Sequence, residues 1–255
     1  MSEAGRDPAA FYDDLAARYH LLYADWAQAV ADQGGALQSL LASHGVLPGA
    51  AVLDAACGIG TQTLGLVQGG YAVTACDVSP QAVQRLRDEL AARGLSAQVR
   101  VDDLRTLSAP DAAYAAVLAC DNALPHLLTD AELLQALRQC HRCLAPGGVA
   151  VFSVRDYAAT PRISPDVRPS GFRRLPDANF LAVQVWEWDG DHYDLRMYLT
   201  TEHDDGRCDT RVTVTRYYAV TVAHLMALMA QAGFVAVTRL DGVLFQPVLL
   251  GRKAA

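Results

Sequence analysis

The stretch that most narrows what this chain can fold into runs from Ala51 to Gly69. An apolar run, Ala51-Val52-Leu53, ends in Asp54, Gly58 and Gly60 follow, and a helix-forming segment starts at Thr61. That order reads as a buried strand, a tight turn and a helix N-terminus. Glycine at such a turn lets the backbone approach a ligand, and the helix end offers N–H groups with no intrahelical partner. A second apolar run, Tyr71 to Cys76, ends in Asp77, seventeen residues past Gly60. An acid about 20 residues past such a turn is where nucleotide-binding βαβ units hold a ribose diol.

The surrounding pattern agrees with a βαβ unit. Phe11 to Ser43 is helical in two or three segments, with Tyr12, Tyr19, Tyr23 and Trp26 spaced along one face. From Pro48-Gly49 onward, strands read at 51–56, 71–76, 97–101, 113–120 and 148–154, and helices at 61–69, 80–93 and 130–144. Ser79 suits an N-cap with Pro80 in the first turn. Thr129 or Asp130 caps the next helix, and Pro146-Gly147-Gly148 stops it. Residues 157–180, rich in proline and polar groups, read as a loop. Strands at 181–188, 192–202 and 209–219, parted by Asp189-Gly190-Asp191 and Asp204-Asp205-Gly206, read as an antiparallel insertion of three. A helix at 221–232 and strands at 234–240 and 243–251 close the chain.

The expected fold is α/β, a doubly wound, mainly parallel seven-stranded sheet carrying that insertion after strand five. Residues 1–47 would form a helical cap, 48–156 with 220–255 the sheet domain, and 157–219 a lid.

Apolar residues make up 52% of the chain and charged ones 19%, which is a globular balance. The formal net charge is −7, against the basic surface that DNA or RNA binding requires. Arg162, Arg168, Arg173 and Arg174 cluster, but Asp166 and Asp177 interrupt them, and the cluster reads as solvated loop. Lys253 is the only lysine among 21 basic residues, a bias expected of a GC-rich, bacterial genome. No apolar signal core or membrane-length stretch is visible, so the expected location is the cytoplasm, with no membrane or nucleic-acid partner. Monomer and homodimer both stay open. The cysteines fall mostly in apolar patterns and should be reduced, Cys140 and Cys143 being buried thiols rather than zinc ligands.

Ligands on open α/β sheets bind beyond the carboxyl ends of the strands. Those ends carry Asp54, Ala56, Cys57, Gly58 and Gly60, then Asp77 and Val78, then Asp102, Asp103 and Leu104. Strand four is followed by Asp121, Asn122 and His126, and strand five by Arg155, Asp156 and Tyr157. A lone G-x-G also arises at ordinary turns, and a dinucleotide site would want a third glycine where Thr63 stands.

D-x-x-C-G-x-G with an acid after the next strand instead resembles the cofactor loop of class I S-adenosylmethionine (SAM) methyltransferases, a resemblance spanning residues 50–251. Within that class, CDNALPHLL (120–128), SVRDY (153–157) and RYYAV (216–220) resemble the glycine/sarcosine N-methyltransferase group. The resemblance implies that Asp77 holds the ribose hydroxyls, Asp103 takes the adenine amino group and the Leu104 N–H assists. Backbone near Gly58, with Asp54, Ala56, Cys57, Gly60 and Val78, would meet the rest of SAM, and Tyr19 and Asp121 complete the cofactor set. Asn122, Arg155, Tyr157 and Tyr12 would face the acceptor, and His126, Tyr217 and Tyr218 would carry the chemistry. Ala56 departs from the glycine of the wider class and Asp156 from the subgroup's asparagine. The subgroup's N-terminal tyrosine falls to Tyr12, Tyr19 or Tyr23.

Methyl transfer from a sulfonium is an in-line displacement in which positioning supplies much of the rate. An amine nucleophile must first lose a proton, and His126 is the base these motifs offer, a core histidine bonded to backbone being the alternative reading. Asp121, Asn122 and Asp156 could hold Mg²⁺, as in catechol-type O-methyltransferases. That group places its Asp-Asn pair after strand five, however, and here Arg155 adjoins the third acid, so no metal is expected. The expected activity is SAM-dependent N-methylation of a compact, carboxylate-bearing amine, with S-adenosylhomocysteine (SAH) as product. O-methylation of a small natural product, or a module that holds SAM or SAH without transfer, are the alternatives.

Overall fold

The computed structural model describes residues 7–255. Helices α1 (Pro8–Leu15) and α2 (Trp26–Ser43) flank a 3₁₀ turn, Tyr19–Leu22. Then β1 (Ala51–Asp54), α3 (Thr61–Gln68), β2 (Ala72–Asp77), α4 (Pro80–Ala92), β3 (Gln98–Val101) and β4 (Tyr114–Ala119) alternate. A 3₁₀ turn at Leu124–His126, α5 (Asp130–Cys143) and β5 (Leu144–Ser153) follow. The insertion holds β6 (Asp166–Leu175), β7 (Ala178–Asp189), β8 (His192–His203) and β9 (Cys208–Tyr218); α6 (Val222–Gln231), β10 (Val235–Leu240) and β11 (Val248–Arg252) end the chain.

The main sheet has seven strands in the order β10-β11-β5-β4-β1-β2-β3. Only β11 runs antiparallel to its neighbours; β1 to β5 are parallel. Strand order reverses at β1, which pairs with β2 on one side and β4 on the other. The crevice at such a reversal is where ligands bind. The strands read as nearly continuous apolar runs because helices cover both faces: Leu53, Val117 and Phe152 pack towards α5 and α6, and Val52, Leu118 and Val151 towards α2 and α3.

Two glycines set how closely α2 meets α3. A Cβ on Gly34 would stand 2.7 Å from the Gly65 Cα, so any larger residue at either position would push the helices apart. The caps are those the sequence implies: Ser79 Oγ accepts from the Ala82 N–H, and Thr129 Oγ1 from the Glu132 N–H. Helix α1 is tied across the cleft by Asp13, whose Oδ1 accepts from Ser79 Oγ (2.6 Å) and the Gln81 N–H (2.9 Å).

The insertion differs from expectation. It is a four-stranded antiparallel sheet, β6-β7-β8-β9, and its first strand lies within the segment read as a loop. Pro169 and three arginines hide β6 by composition, yet it pairs with β7 along its length, with a register shift between Pro169 and Gly171. An edge strand tolerates proline at such an irregularity. Nor is the arginine cluster simply solvated. Arg168 pairs with Asp166 at 2.6 Å and stacks 3.8 Å from the Trp186 ring centre, while Arg173 Nε donates to the Tyr23 carbonyl at 2.6 Å. Inward-facing Phe180, Trp186, Tyr193, Leu195, Met197 and Tyr217 form a third core against Phe11 and Leu15 of α1. The insertion and the N-terminal helix thus share one apolar seam. Among the described residues no helix is long and apolar enough to cross a membrane.

Candidate active site

Two chambers open at the strand ends. The first, about 230 Å³, is lined by Ala55 to Ile59, Asp77, Val78, Asp103, Leu104, Cys120 and His126. The second, about 210 Å³, lies under the insertion and is lined by Tyr23, Asn122, Arg155, Gln184, Tyr217 and Gln246 among others. Tyr12, Tyr19 and Asp121 line both, so the chambers meet at these three side chains.

The first chamber is built largely from backbone. The β1–α3 turn requires left-handed glycines: Gly58 has φ 50° and Gly60 φ 99°. Gly60 does not line the chamber; a Cβ there would collide with the Leu86 side chain. Asp54 lies beneath the turn, fully buried, where its Oδ2 accepts from Thr63 Oγ1 at 2.6 Å. Burial pushes its carboxyl up to about 6, with the Thr63 hydroxyl opposing. Asp54 and Gly60 therefore shape the loop from behind, while Ala56, Cys57 and Gly58 form its inner surface. Asp77 Oδ2 accepts from the Gly58 N–H (2.8 Å) and Oδ1 from the Ser79 N–H (2.9 Å). Burial raises the Asp77 pKa and these N–H groups draw it back. At the far end, Arg105 grips Asp103 from Nη2 (2.6 Å) and Nε, which holds the Asp103 carboxyl below its ordinary value. Arg105 also bonds Glu132 at 2.8 Å.

The junction is held by strained backbone. Asp121 and Asn122 both adopt positive φ, 58° and 67°, directly after β4. Two consecutive non-glycine residues in this region are costly and persist only when their surroundings over-determine them. Here the Asp121 N–H donates to Ser153 Oγ (2.7 Å) and the Asn122 N–H to the Ser153 carbonyl (3.0 Å). Asn122 Oδ1 accepts from the Arg155 N–H at 2.9 Å and its Nδ2 donates to Tyr157 Oη at 2.8 Å. The effect is to present the Asp121 carboxylate between the chambers, where Tyr23 (3.1 Å) and Tyr19 (3.3 Å) donate to Oδ2. Burial raises the Asp121 pKa, opposed by these two hydroxyls.

His126 sits beside the junction. Its Nε2 lies 2.9 Å from Tyr12 Oη, its Nδ1 3.4 Å from Thr215 Oγ1, and its ring centre 4.1 Å from that of Tyr217. Burial pushes its pKa down to about 3. The ring is therefore neutral at physiological pH and a weaker proton acceptor than an exposed imidazole.

In the second chamber, Arg155 Nη1 donates to Tyr193 Oη at 3.1 Å, and its guanidinium lies 4.4 Å from the Trp186 ring centre. Tyr157 stands behind it, with Oη 3.0 Å from Tyr193 Oη, and does not line either chamber. Asp156 turns away to pair with Arg239 at 2.8 Å, so Asp121, Asn122 and Asp156 do not converge. Tyr218 is also apart. Neighbouring strand residues point to opposite faces, and while Tyr217 stacks on His126, Tyr218 bonds Asp130 at 3.0 Å and stacks on His192. Placing Tyr218 among the catalytic groups is thus corrected.

Sequence reasoning missed Gln184, Leu195, Met197, Phe245 and Gln246, which line the second chamber. Gln184 carried a signal: it is the polar member of an inward series, Phe180, Ala182, Gln184, Trp186, and a polar residue at a core position invites a functional reading. Gln246 carried none, because it lies in the short loop before β11.

This fold, with a glycine turn at the strand-order reversal and acids at the next two strand ends, is that of the class I SAM-dependent methyltransferases. Residues 52–148 match the family of methyltransferase domains. Over 105 residues it is 37% identical to the 2-methyl-6-phytyl-1,4-hydroquinone methyltransferase of Synechocystis, a match covering 41% of this chain and 31% of that protein. The chain spans less than half the length of the curated relatives it matches. Its fold matches SAM-bound CalS10 of Micromonospora echinaspora, an amino pentose methyltransferase, with TM-score 0.77, 19% identity, and 93% and 95% of the two chains covered. It matches the sugar N-methyltransferase KedS8 of Streptoalloteichus with TM-score 0.72, 19% identity, and coverage of 89% and 88%.

Proposed function

We propose that this chain is a SAM-dependent methyltransferase acting on a small polar molecule, and specifically that it N-methylates a compact amine bearing a carboxylate. The observation that carries this reading is the pairing of charges in the second chamber: a cation, Arg155, and an anion, Asp121, whose carboxylate also borders the first chamber.

The residues present fit SAM. The first chamber has an inner surface of backbone at Ala56 to Gly58, a buried acid at Asp77 for ribose hydroxyls, and Asp103 with Leu104 at the far end for an adenine edge. Bound there, SAM supplies a methyl group already activated by its sulfonium. What remains for the protein is positioning. A guanidinium fork matches a carboxylate bidentately, so Arg155, steadied on Trp186, orients the acceptor from its acid end. Asp121 accepts an N–H from the acceptor's ammonium and draws off its proton, a task that the Tyr19 and Tyr23 hydroxyls moderate. Tyr12 and Tyr19 remain protonated, since burial raises both, and wall the junction against water. Tyr12 also bonds His126, which keeps that neutral ring in place.

The test is incubation with SAM and a panel of small amines, with and without a carboxylate, read by SAH release and acceptor mass. Methylation confined to carboxylated amines supports the reading. Equal turnover of amines lacking a carboxylate rejects the role of Arg155. Tight SAM binding with no turnover of any amine or hydroxyl compound would mark a binding module instead. A chelator added to an active reaction asks separately about metal, and full activity is expected to persist.

A further inference from the structure

The insertion sheet turns one face to the second chamber, where Gln184, Leu195, Met197 and Tyr217 line the wall. Successive strand residues alternate between faces, so Val183, Val185, Arg196 and Tyr198 point outward. Among the described residues ten large apolar side chains are exposed, and five of them, Val167, Phe172, Leu181, Tyr198 and Val212, belong to this sheet. Residues directly opposite on antiparallel strands share a face. Val167 pairs with Val185 and Phe172 with Leu181, while Tyr198 pairs with Val183 on one side and Val212 on the other. The five therefore form one patch that runs across all four strands. Phe172 joins it through the register shift between Pro169 and Gly171; strict alternation from Val167 would have turned that ring inward. Polar pairs rim the patch: Arg196 with Glu187 (2.7 Å) and Arg216 with Asp194 (2.9 Å) towards one end, Asn179 with Glu202 (2.9 Å) at the other. An apolar centre inside a polar rim is the anatomy of a protein interface.

We infer that two copies of this chain join through the outer face of the insertion, sheet against sheet, as a two-fold dimer. Charge and size carry the choice of partner. The chain has a net charge of −7, yet this face holds acids and arginines already paired with one another. It offers no single-signed field to nucleic acid, an anionic membrane or a strongly charged protein, and it meets an identical face without net repulsion. The strands are 10 to 12 residues long. Four such strands cover roughly 19 by 34 Å, or about 650 Å² before side-chain relief. That is close to the roughly 800 Å² per partner of a stable complex. Sheets pack well face to face with interdigitating side chains, and a two-fold axis lets one patch serve both subunits. Because the same strands wall the second chamber, the pairing braces that wall from outside.

Sedimentation of the full chain from nanomolar to micromolar concentration tests this. Wild type should reach twice the mass of one chain. Tyr198→Glu and Val212→Lys each place a charge at an exposed position of the patch, so melting temperature of the monomer and SAH affinity should hold. Dimerisation should weaken by roughly a hundredfold or more, since each charge is buried twice. Tyr198→Ser only trims the ring and should weaken it by roughly tenfold, which keeps the test readable if a charge upsets the fold. Val235→Lys, at an exposed apolar position on β10, should leave the dimer intact. A wild type that stays monomeric throughout, or a dimer that survives in all three patch variants, overturns the inference. A monomeric wild type that binds phosphatidylcholine vesicles through Tyr198 would also overturn it and give the face to a membrane surface.

Discussion

The two chambers solve recognition in different ways. In the first, the polar groups are already satisfied by the protein: Asp77 by the Gly58 and Ser79 N–H groups, and Asp103 by Arg105. A ligand there joins a finished hydrogen-bond network. In the second, a cation stacked on an indole and an anion on strained backbone face one space. That chamber is assembled from five separate parts of the chain: α1 with its following turn, the β4 end, the β5 end, the insertion, and the loop before β11. The contrast teaches where sensitivity should lie. On the proposed assignment, cofactor binding rests on backbone shape and many small contributions, whereas acceptor binding rests on two charged side chains, Arg155 and Asp121, that tyrosine hydroxyls already hold in place.

Substitutions can break that contrast. The largest effect is expected for Arg155→Met, which should lower acceptor binding by about 2–5 kcal/mol and leave SAM affinity and melting temperature unchanged. Acceptor and SAM binding falling together would show that the chambers are not separable. Next, Asp77→Ala should weaken SAM binding by about 1.5–3 kcal/mol, measured by calorimetry, and unchanged affinity in a folded variant would remove its assignment. Asp103→Ala should cost about 1 kcal/mol, since the adenine edge also meets backbone.

A pH test sharpens the role of His126. Its folded pKa of about 3 lies below the value of an exposed imidazole, so the unfolded chain takes up the proton first as pH falls. Its contribution is therefore unfavourable from about pH 6.5 downward, growing until pH passes the folded value. Asp54, raised to about 6, has the opposite slope: its burial penalty grows as pH rises from the ordinary carboxylate range towards 6. His126→Asn should accordingly lose less melting temperature than wild type between neutral and mildly acidic pH, and a parallel loss would contradict a buried neutral ring. The smallest effect belongs to Tyr218→Phe, which should change kcat/KM and stability by no more than about 0.5 kcal/mol. Tyr217→Phe, on the chamber face, is the matched control and should have the larger effect on kcat/KM.

How legible each chamber was follows from this construction. The first is written in local order: an apolar run, Asp54, the two glycines and a helix start specify a strand, turn and helix whatever surrounds them. Asp77 and Asp103 then follow from the period of strand and helix. Apolar runs likewise revealed the central strands β1, β2, β4 and β5, because residues buried on both sides must be apolar. The same reading failed at β6, where one face is exposed, proline interrupts the edge, and the inward arginines are accommodated by Trp186 and the Tyr23 carbonyl.

What the sequence determined by itself is therefore the parallel sheet, its glycine turn and the acids at its strand ends, all consequences of short-range sterics and burial. Only the tertiary structure decided which face of β9 looks inward, which separated Tyr217 from Tyr218. It alone brought Tyr19 and Tyr23 to Asp121 across about a hundred residues. It also lowered the basicity of His126 by desolvation and brought Gln246 and Arg155 to the wall of one chamber. These outcomes depend on long-range packing and on local dielectric, quantities that no window of the sequence contains.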